Sequence, residues 1–237
     1  MSPPLLRVVG VAACYGQLQA VRGVSLEVGA GEALAVIGEN GAGKTTLFHT
    51  ICGLHRAASG NVVFGGDELR GVPAHQIVRR GIALVPEGRR IFPSLTVDEN
   101  LRVAEDAHRR RSGARRWTRE RVYALFPDLA AAARRGGHQI SGGQQQMLAI
   151  GRALLSEPRL LVLDEVSLGL SPIVVKVLYQ ALVTIRGDGM TLVFVEQDVR
   201  RAIAFSDHLI CLHKGSVRLR GPSPTSSLDE VRRAYFG

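Results

Sequence analysis

The chain has 237 residues, of which 46% are hydrophobic and 22% are charged, so it can bury a large core and is not intrinsically disordered. Aromatic residues make up only 5% and glycine accounts for 27 residues, which favours tight backbone turns over a stacking platform for nucleic acid. The net charge is +9, and +5 of it falls between residues 102 and 121. We interpret that arginine-rich segment as a solvated helical face, with an anionic membrane surface or an acidic partner as the alternative.

The sequence contains no apolar run of about 18 residues, so we expect a chain that does not span a bilayer by itself. Arg7 interrupts the short apolar start and no basic segment precedes it, which argues against export and favours a cytoplasmic location. The three cysteines, Cys14, Cys52 and Cys211, lack the spacing of a disulfide framework or a zinc site. We therefore expect buried or idle thiols.

Strands and helices alternate along most of the chain, which predicts an α/β fold with a mainly parallel sheet. Two strands joined at Tyr15-Gly16 are predicted near the N-terminus. Short apolar runs predict further strands at 33–37, 82–85, 160–163, 191–195, 209–212 and 217–219. Helical spacing predicts helices at 44–52, 74–80, 142–155, 172–186, 198–205 and 231–235. Residues 221–227 have the composition of a Pro/Ser linker.

The middle third of the chain changes character. Thr96 and Glu99 have the spacing of a capping box that opens a helix, and the arginine-rich and alanine-rich segments that follow continue as helix and loop. We predict one domain over residues 1–237. Its core would comprise residues 1–87 and 160–237, and a helical subdomain would occupy about 88–159.

A glycine-rich segment lies between the predicted strand at 33–37 and the next helix. It reads Gly38-Glu39-Asn40-Gly41-Ala42-Gly43-Lys44-Thr45, which fits the GxxxxGK[ST] pattern of a phosphate loop. Glycines let successive N–H groups converge on phosphate oxygens, and the helix adds its positive N-terminal end. We expect Lys44 to contact the β and γ phosphates and Thr45 to offer its hydroxyl to Mg²⁺. The alternative is an ordinary glycine-rich turn.

Two adjacent acids follow the apolar strand at 160–163. Asp164 is expected at the carboxyl edge of the sheet beside the phosphate loop, where it would hold Mg²⁺ through water. Glu165 would then orient or deprotonate the attacking water. A structural role for the pair, as helix caps, is the alternative.

The segment Ser141-Gly142-Gly143-Gln144 precedes Asp164 and opens a helix. Taken alone it is only a good N-cap. Between a phosphate loop and an acidic strand end, however, it makes the chain resemble the ATP-binding cassette (ABC) ATPases, and the loop at 167–170 adds to the likeness. The resemblance implies a P-loop cassette with a mainly parallel core sheet, an antiparallel β part near the N-terminus and an inserted α-helical subdomain.

The resemblance also implies ligands and their contacts. ATP and Mg²⁺ would be bound, with Tyr15 stacked on adenine. Phosphates and Mg²⁺ would be held by the loop residues Gly38, Glu39, Asn40, Gly41, Ala42, Gly43, Lys44, Thr45 and Thr46. The γ-phosphate held by a second ATP-binding subunit would be contacted by Ser141, Gly142, Gly143 and Gln144. Nucleotide would thus be sandwiched between two subunits.

Several positions depart from the commonest cassette pattern. Glu87 stands where a Gln usually contacts Mg²⁺ and the attacking water, and Gln197 stands where most cassettes have a histidine that touches the γ-phosphate. An amide can donate a hydrogen bond but cannot carry the charge of an imidazolium. Ile140 replaces a Leu and Val166 replaces a Pro.

Together with the segment 85–93 and the ending 233–237, these departures resemble the smaller ATP-binding subunit of branched-chain amino acid importers. That likeness implies a catalytic set of Glu165, Lys44 and Gln197, and a metal set of Thr45, Asp164 and Glu87. It implies an ATPase at the cytoplasmic face of the inner membrane that powers leucine, isoleucine and valine uptake through separate permease subunits. A solute-binding protein would take part indirectly, and no nucleic acid is expected. The alternatives are a urea or short-amide importer, a non-transport cassette, and an adaptor without turnover.

Overall fold

The computed structural model describes residues 3–107 and 116–236. Its strands are, in chain order, β1 (Leu6–Tyr15), β2 (Leu18–Val28), β3 (Ala33–Ile37), β4 (Ser59–Phe64), β5 (Asp67–Glu68), β6 (Ile82–Val85), β7 (Leu160–Leu163), β8 (Thr191–Val195), β9 (His208–His213) and β10 (Ser216–Pro222). Its helices are α1 (Lys44–Ile51), α2 (Ala74–Arg80), α3 (Val97–Ala107), α4 (Arg119–Leu125), α5 (Pro127–Ala131), α6 (Gly142–Leu154), α7 (Pro172–Gly187), α8 (Val199–Phe205) and α9 (Leu228–Phe236). Short 3-10 turns cover Gly137–Gln139 and Ser223–Thr225.

The strands form two sheets. An antiparallel sheet near the N-terminus has the order β2-β1-β4-β5, and the core sheet has the order β10-β9-β3-β8-β7-β6. In the core sheet the pairs β3–β8, β3–β9, β6–β7 and β7–β8 are parallel, and only β10 runs antiparallel to its partner β9. The predicted fold class, with its parallel core and antiparallel N-terminal part, is confirmed.

The three central strands of the core sheet are buried on both faces. Every residue of β3, β7 and β8 is buried, as expected of strands covered on both sides. Along β3, Ala33, Ala35 and Ile37 join the apolar layer that also contains residues of α6 and α7, whereas Leu34 and Val36 join the layer shared with α1 and the antiparallel sheet. The sheet therefore divides the core into two apolar layers.

The segment between β6 and β7 is helical in its described part. The predicted capping box is present, since the Thr96 hydroxyl accepts from the Glu99 amide at 3.2 Å and the Glu99 carboxylate accepts from the Thr96 amide at 2.8 Å. Gly151 of α6 leaves room for Leu101 and Val122, because a Cβ there would lie 2.6 Å from Val122 Cγ1. The division at 88 and 159 remains a prediction.

The structure bears on two predictions made from composition, the linker at 221–227 and the solvated arginine-rich face at 102–121. The linker predicted at 221–227 is wrong, because β10 runs to Pro222 and the fully buried Ser223 hydroxyl lies 2.6 Å from Ser206 Oγ. Within the arginine-rich segment, Arg119 pairs with Asp98 and Glu105. In the same segment Arg102 pairs with Asp98 and Arg121 pairs with Asp188. The four arginines at 109, 110, 111 and 115 lie outside the described residues.

The strands β4 and β5 are not predicted by the apolar pattern of the sequence. Only two residues of β4 are fully buried, and β5 has two residues, both exposed. The strand β4 is held by pairing to β1, which is distant in sequence, and β5 is held by pairing to β4. Apolar periodicity does not reveal such pairings.

Two further expectations concern the cysteines, as buried or idle thiols, and the helices, as too short or too polar to span a bilayer. Cys52 and Cys211 are buried, Cys14 is half-buried, and all three are free thiols. Burial raises the pKa of Cys52 to about 12. Among the described residues, no helix has both the length and the apolar character needed to cross a membrane.

Candidate active site

Five parallel strands end at one edge of the core sheet, and four of them lead into segments of the predicted site. The strand β3 leads to Gly38, β6 to Pro86, β7 to Asp164 and β8 to Glu196. In open α/β sheets the crevice beyond the carboxyl ends of the strands is where ligands bind. The chain therefore brings its glycine-rich loop and its predicted acids to the same edge, as the sequence predicts.

The glycine-rich loop requires glycine at Gly38 and at Gly43, the first and last of its three glycines. Gly38 has a φ of 149° and a Cβ there would lie 2.3 Å from the Leu212 carbonyl oxygen; Gly43 has a φ of 99° and its Cβ would lie 2.4 Å from the Ala20 carbonyl oxygen. Any side chain would strain both the turn and its neighbours. The helix α1 then begins at Lys44 with no acidic residue in its first turn, so its N-terminal end is available to an anion.

Lys44 is held inside this loop. Its side chain is 4% exposed, and Nζ donates to the carbonyl oxygens of Gly38 at 2.8 Å and Glu39 at 2.9 Å. The Glu165 carboxylate lies 3.7 Å from Nζ. The ammonium group thus has polar partners within this chain and lies next to the predicted catalytic acid.

Asp164 has the least favourable surroundings of the predicted site acids. It is 1% exposed, and neither side-chain oxygen has a hydrogen-bond partner among the described residues. The pKa of Asp164 is raised to about 6, mainly by burial and also by the nearby carboxylates of Glu165 and Glu87, while the Thr45 hydroxyl and Lys44 act in the opposite direction. A buried carboxylate without a partner needs an explanation, and a cation would supply one.

The residues around Asp164 fit a magnesium ion. Thr45 and Glu87 are close enough to affect the pKa of its carboxyl group. Among the described residues no three His, Cys, Asp or Glu side chains converge as a metal cluster. Magnesium does not require such a cluster, because it usually keeps several waters and takes one or two carboxylates together with substrate phosphates.

Glu165 and Gln197 are brought into direct contact. Gln197 Nε2 donates to Glu165 Oε2 at 2.9 Å. Glu165 has a φ of 48°, a left-handed backbone conformation that is uncommon for a residue other than glycine. Its side chain is 11% exposed. Strained backbone is characteristic of functional sites, and here it places the carboxylate between Lys44 and the Gln197 amide.

Glu87 begins a loop that leads from the sheet edge to the helical segment. Glu87 is exposed. Two residues later Arg89, with a φ of 65°, donates from Nη1 to Gln145 Oε1 at 3.0 Å. The same loop therefore places Glu87 near enough to raise the pKa of Asp164 and contacts the helix α6 through Arg89.

The segment Ser141–Gln144 caps α6. Ser141 Oγ accepts from the Gln144 amide at 3.2 Å, and Gln144 Oε1 accepts from the Ser141 amide at 3.0 Å. Ser141 is exposed, and Gly143 is buried against Val174. The hydrogen bonds that the structure gives to the described side chains of this segment do not reach the phosphate loop.

Tyr15 lies at the turn between β1 and β2. Its side chain is 50% exposed, and its ring centroid lies 4.4 Å from that of His55. His55 in turn is fixed by a contact of 3.1 Å between Nε2 and the Cys14 carbonyl oxygen. Tyr15 is thus supported on one side and open to solvent on the other, and its stacking on adenine remains a prediction.

Glu196 was not among the predicted site residues. It is 2% exposed and accepts hydrogen bonds from Ser167, Tyr179 and Arg201. The sequence does contain a signal for Glu196, because this residue directly follows β8, which is apolar except for Thr191, just as Asp164 directly follows the apolar strand β7.

Comparison with known proteins places the chain in a family. A family model described as ABC transporter matches residues 21–167. The chain is 42% identical to BraG of Pseudomonas aeruginosa, a high-affinity branched-chain amino acid transport ATP-binding protein, over 96% of this chain and 97% of that protein. It is 34% identical to LivF of Archaeoglobus fulgidus, a probable branched-chain amino acid transport ATP-binding protein, over 92% of each chain.

The solved structures agree with these sequence relatives. An ATP-binding subunit of an ABC transporter superposes with a TM-score of 0.84 at 28% identity, covering 97% of this chain and 98% of that one. The resemblance inferred from the phosphate loop, the acids and the segment at 141–144 is confirmed. The chain belongs to the ABC transporter family and is one of its ATP-hydrolysing cassettes.

Proposed function

We propose that this chain binds ATP with Mg²⁺ at the edge of its core sheet, hydrolyses it, and thereby drives the import of branched-chain amino acids by a membrane complex. The cargo rests on the relatives, since BraG and LivF are branched-chain amino acid transport ATP-binding proteins by name. The proposal of ATP hydrolysis rests on the residues gathered at the carboxyl edge of the core sheet, where Lys44 and Asp164 are buried. The observation that carries it furthest is the contact of Glu165 with both Lys44 and Gln197.

Binding is assigned to the glycine-rich loop and α1. The backbone N–H groups from Gly38 to Thr46 would surround the β and γ phosphates, with the N-terminal end of α1 adding positive potential. Lys44 would exchange its contacts with the carbonyl oxygens of Gly38 and Glu39 for phosphate oxygens. That exchange replaces neutral acceptors by charged ones, which form stronger hydrogen bonds.

The cation site is assigned to Thr45 and Asp164, with Glu87 near it. Bound Mg²⁺ would neutralise charge on the phosphates as it builds up during transfer. The cation, or a water bound to it, would give the ionised Asp164 carboxylate the partner that it lacks among the described residues. Glu87 would take the place of the more usual Gln and add a negative charge at that position.

Hydrolysis is assigned to Glu165 and Gln197. Glu165 would orient the attacking water and accept its proton, as a carboxylate within hydrogen-bond reach can. Gln197, which donates a hydrogen bond to Glu165, would hold that carboxylate in place. It would also donate to a γ-phosphate oxygen when nucleotide is present. It would do so as a neutral amide, without the titration that a histidine would bring.

The second half of the site is assigned to another ATP-binding subunit, either a second copy or a related one. Ser141, Gly142, Gly143 and Gln144 would contact the γ-phosphate held by that partner. An exposed serine at a helix N-terminus is well suited to an anion from outside the chain. Separate permease subunits would complete the importer, with a solute-binding protein delivering cargo to them at the outer side.

Uptake of labelled leucine in cells lacking this chain tests the physiological assignment. We expect uptake to fall and to return with the wild-type chain but not with Glu165→Gln. Urea uptake, measured in the same cells, provides the comparison. Intact leucine uptake with lost urea uptake would move the assignment to a urea or short-amide importer.

The loop from Glu87 to Pro93 is the proposed route from the nucleotide to the permease. Arg90 is exposed, whereas Arg89 is committed to Gln145, so charge reversal at Arg90 is the cleaner test. Arg90→Glu should lower leucine uptake more than it lowers ATP hydrolysis by the assembled complex. An equal loss of both activities would show that Arg90 serves the ATPase and not its coupling.

A further inference from the structure

A buried carboxylate lies directly behind the proposed catalytic pair. Glu196 is the first residue after β8 and is 2% exposed, whereas the next residue, Gln197, is exposed and bonded to Glu165. The backbone thus passes in one step from a buried acid to a side chain on the proposed reacting edge. Whatever fixes Glu196 also limits where Gln197 can reach.

Three separate elements donate to the Glu196 carboxylate. Ser167, in the loop after Glu165, donates at 2.9 Å; Tyr179, on α7, donates at 2.5 Å; and Arg201, on α8, donates from Nη1 at 2.9 Å. The Asp198 amide also donates, at 3.2 Å. One carboxylate therefore joins the two loops that follow β7 and β8 to the helices behind them.

The donors differ in what else they can bind. Arg201 has a second carboxylate, with Nη2 lying 3.3 Å from Asp198 Oδ2. Ser167 Oγ and Tyr179 OH have Glu196 as their hydrogen-bond acceptor in the described part of the chain. Burial raises the pKa of the Tyr179 hydroxyl, so it remains a donor. Loss of the carboxylate would release the Ser167 loop more readily than α8.

We propose that Glu196 is a positioning residue for hydrolysis, which holds the Gln197 amide on Glu165 and ties that pair to the loop at 167–170. It touches no reacting atom and acts through its neighbours. The proposal rests on the proposed ATPase function and adds to it a buried anchor that fixes two loops with a single carboxylate.

Glu196→Gln tests this, because it keeps the size of the side chain and removes its charge. Asp207→Asn is the matched control: Asp207 also pairs with an arginine, Arg186, but accepts from Ala33 at the opposite end of β3. For the full chain, we expect Glu196→Gln to lower kcat for ATP about tenfold, the effect of one charge-assisted hydrogen bond, with ATP affinity changed less than about twofold. The control should lose thermal stability and keep kcat.

A double-variant comparison separates positioning from a general loss of structure. If Glu196 acts through Gln197, Glu196→Gln combined with Gln197→Ala should be no slower than Gln197→Ala alone. Independent, additive losses would overturn the proposal, as would an unchanged kcat in Glu196→Gln. If Glu196→Gln does not fold, Tyr179→Phe and Ser167→Ala each remove one donor and should each lower kcat about threefold; unchanged kcat in both would overturn the proposal.

The ATPase assay also separates this proposal from the proposed function. Lys44→Ala provides the blank for hydrolysis. A wild-type rate no higher than that of Lys44→Ala would overturn the ATPase function and this inference together. A wild-type rate well above the blank, with Glu196→Gln equal to wild type, would overturn the positioning role alone.

Discussion

The glycine-rich loop and the start of α6 are both helix N-termini that suit a phosphate, yet they are built in opposite ways. The loop lies at the carboxyl edge of the core sheet, where the Lys44 side chain is 4% exposed and Asp164, at the end of β7, is 1% exposed. The α6 start is exposed and satisfies its own backbone through the Ser141–Gln144 capping box. The first arrangement concentrates charge around a ligand of this chain. The second presents the capped N-terminus of α6 to a ligand that another subunit would hold.

Loss of the loop lysine or the following acid should have the largest effect, and the two should differ. Lys44→Ala should weaken ATP binding about 10- to 100-fold, since a hydrogen bond to a charged group contributes about 1.5–3 kcal/mol. Glu165→Gln should keep ATP bound, trap an ATP-bound dimer and lower turnover at least about 100-fold. Nucleotide binding and steady-state hydrolysis measured on both variants check this. Unchanged turnover in Glu165→Gln would remove it from the role of catalytic carboxylate.

A smaller effect on turnover is expected from substitution of Gln197, whose amide is hydrogen-bonded to Glu165 beside the glycine-rich loop. Gln197→Ala should lower kcat about tenfold and change ATP affinity little, because the lost hydrogen bond serves the reaction more than binding. Hydrolysis by the wild-type chain should also lack the drop between about pH 6 and 7 that a titrating histidine gives. A pH profile alongside Gln197→His supplies the control. Wild-type turnover in Gln197→Ala would show a structural role only.

The smallest effect concerns stability and uses the buried carboxyl of Asp164. Its pKa is raised from 3.8 to about 6, so its contribution to stability is present below about pH 4 and lost as the pH rises through 6. In magnesium-free buffer Asp164→Asn should therefore raise the free energy of unfolding by about 1–2 kcal/mol at pH 8, and by less near pH 4. Denaturant unfolding at both pH values measures this. A destabilised variant at pH 8 would show that the carboxylate has a partner in the free chain.

The residues proposed to bind and hydrolyse nucleotide could be predicted from the sequence better than the contacts that support them. The loop, Asp164 and Glu165 could be placed at one edge because parallel strands end together, and each carried its own pattern. The contacts of Glu196 could not be predicted in this way. They join residues 167, 179 and 201, which are separated in sequence and share no motif, so only the packing of α7 and α8 against β8 brings them together.

The same limit explains the linker that was predicted in place of the end of β10. Pro and Ser are typical of loops, and Gly221 and Pro222 gave no apolar alternation. Pairing with β9 through Pro222 and His208 nevertheless continues the strand. Tertiary pairing overrode local composition there, whereas at β3 both pointed to the same structure.

The difference between the two helix starts is tested most directly by measuring ATP affinity and turnover together in Ser141→Arg. Thr118→Arg is the matched control, because Thr118 caps α4 in the same manner and its loss has a similar cost of about 1 kcal/mol. We expect Ser141→Arg to bind ATP as the wild-type chain does and to lose nearly all turnover, with Thr118→Arg retaining both. Loss of ATP affinity in Ser141→Arg, or turnover equal to that of Thr118→Arg, would contradict the account that the α6 start serves nucleotide held by another subunit.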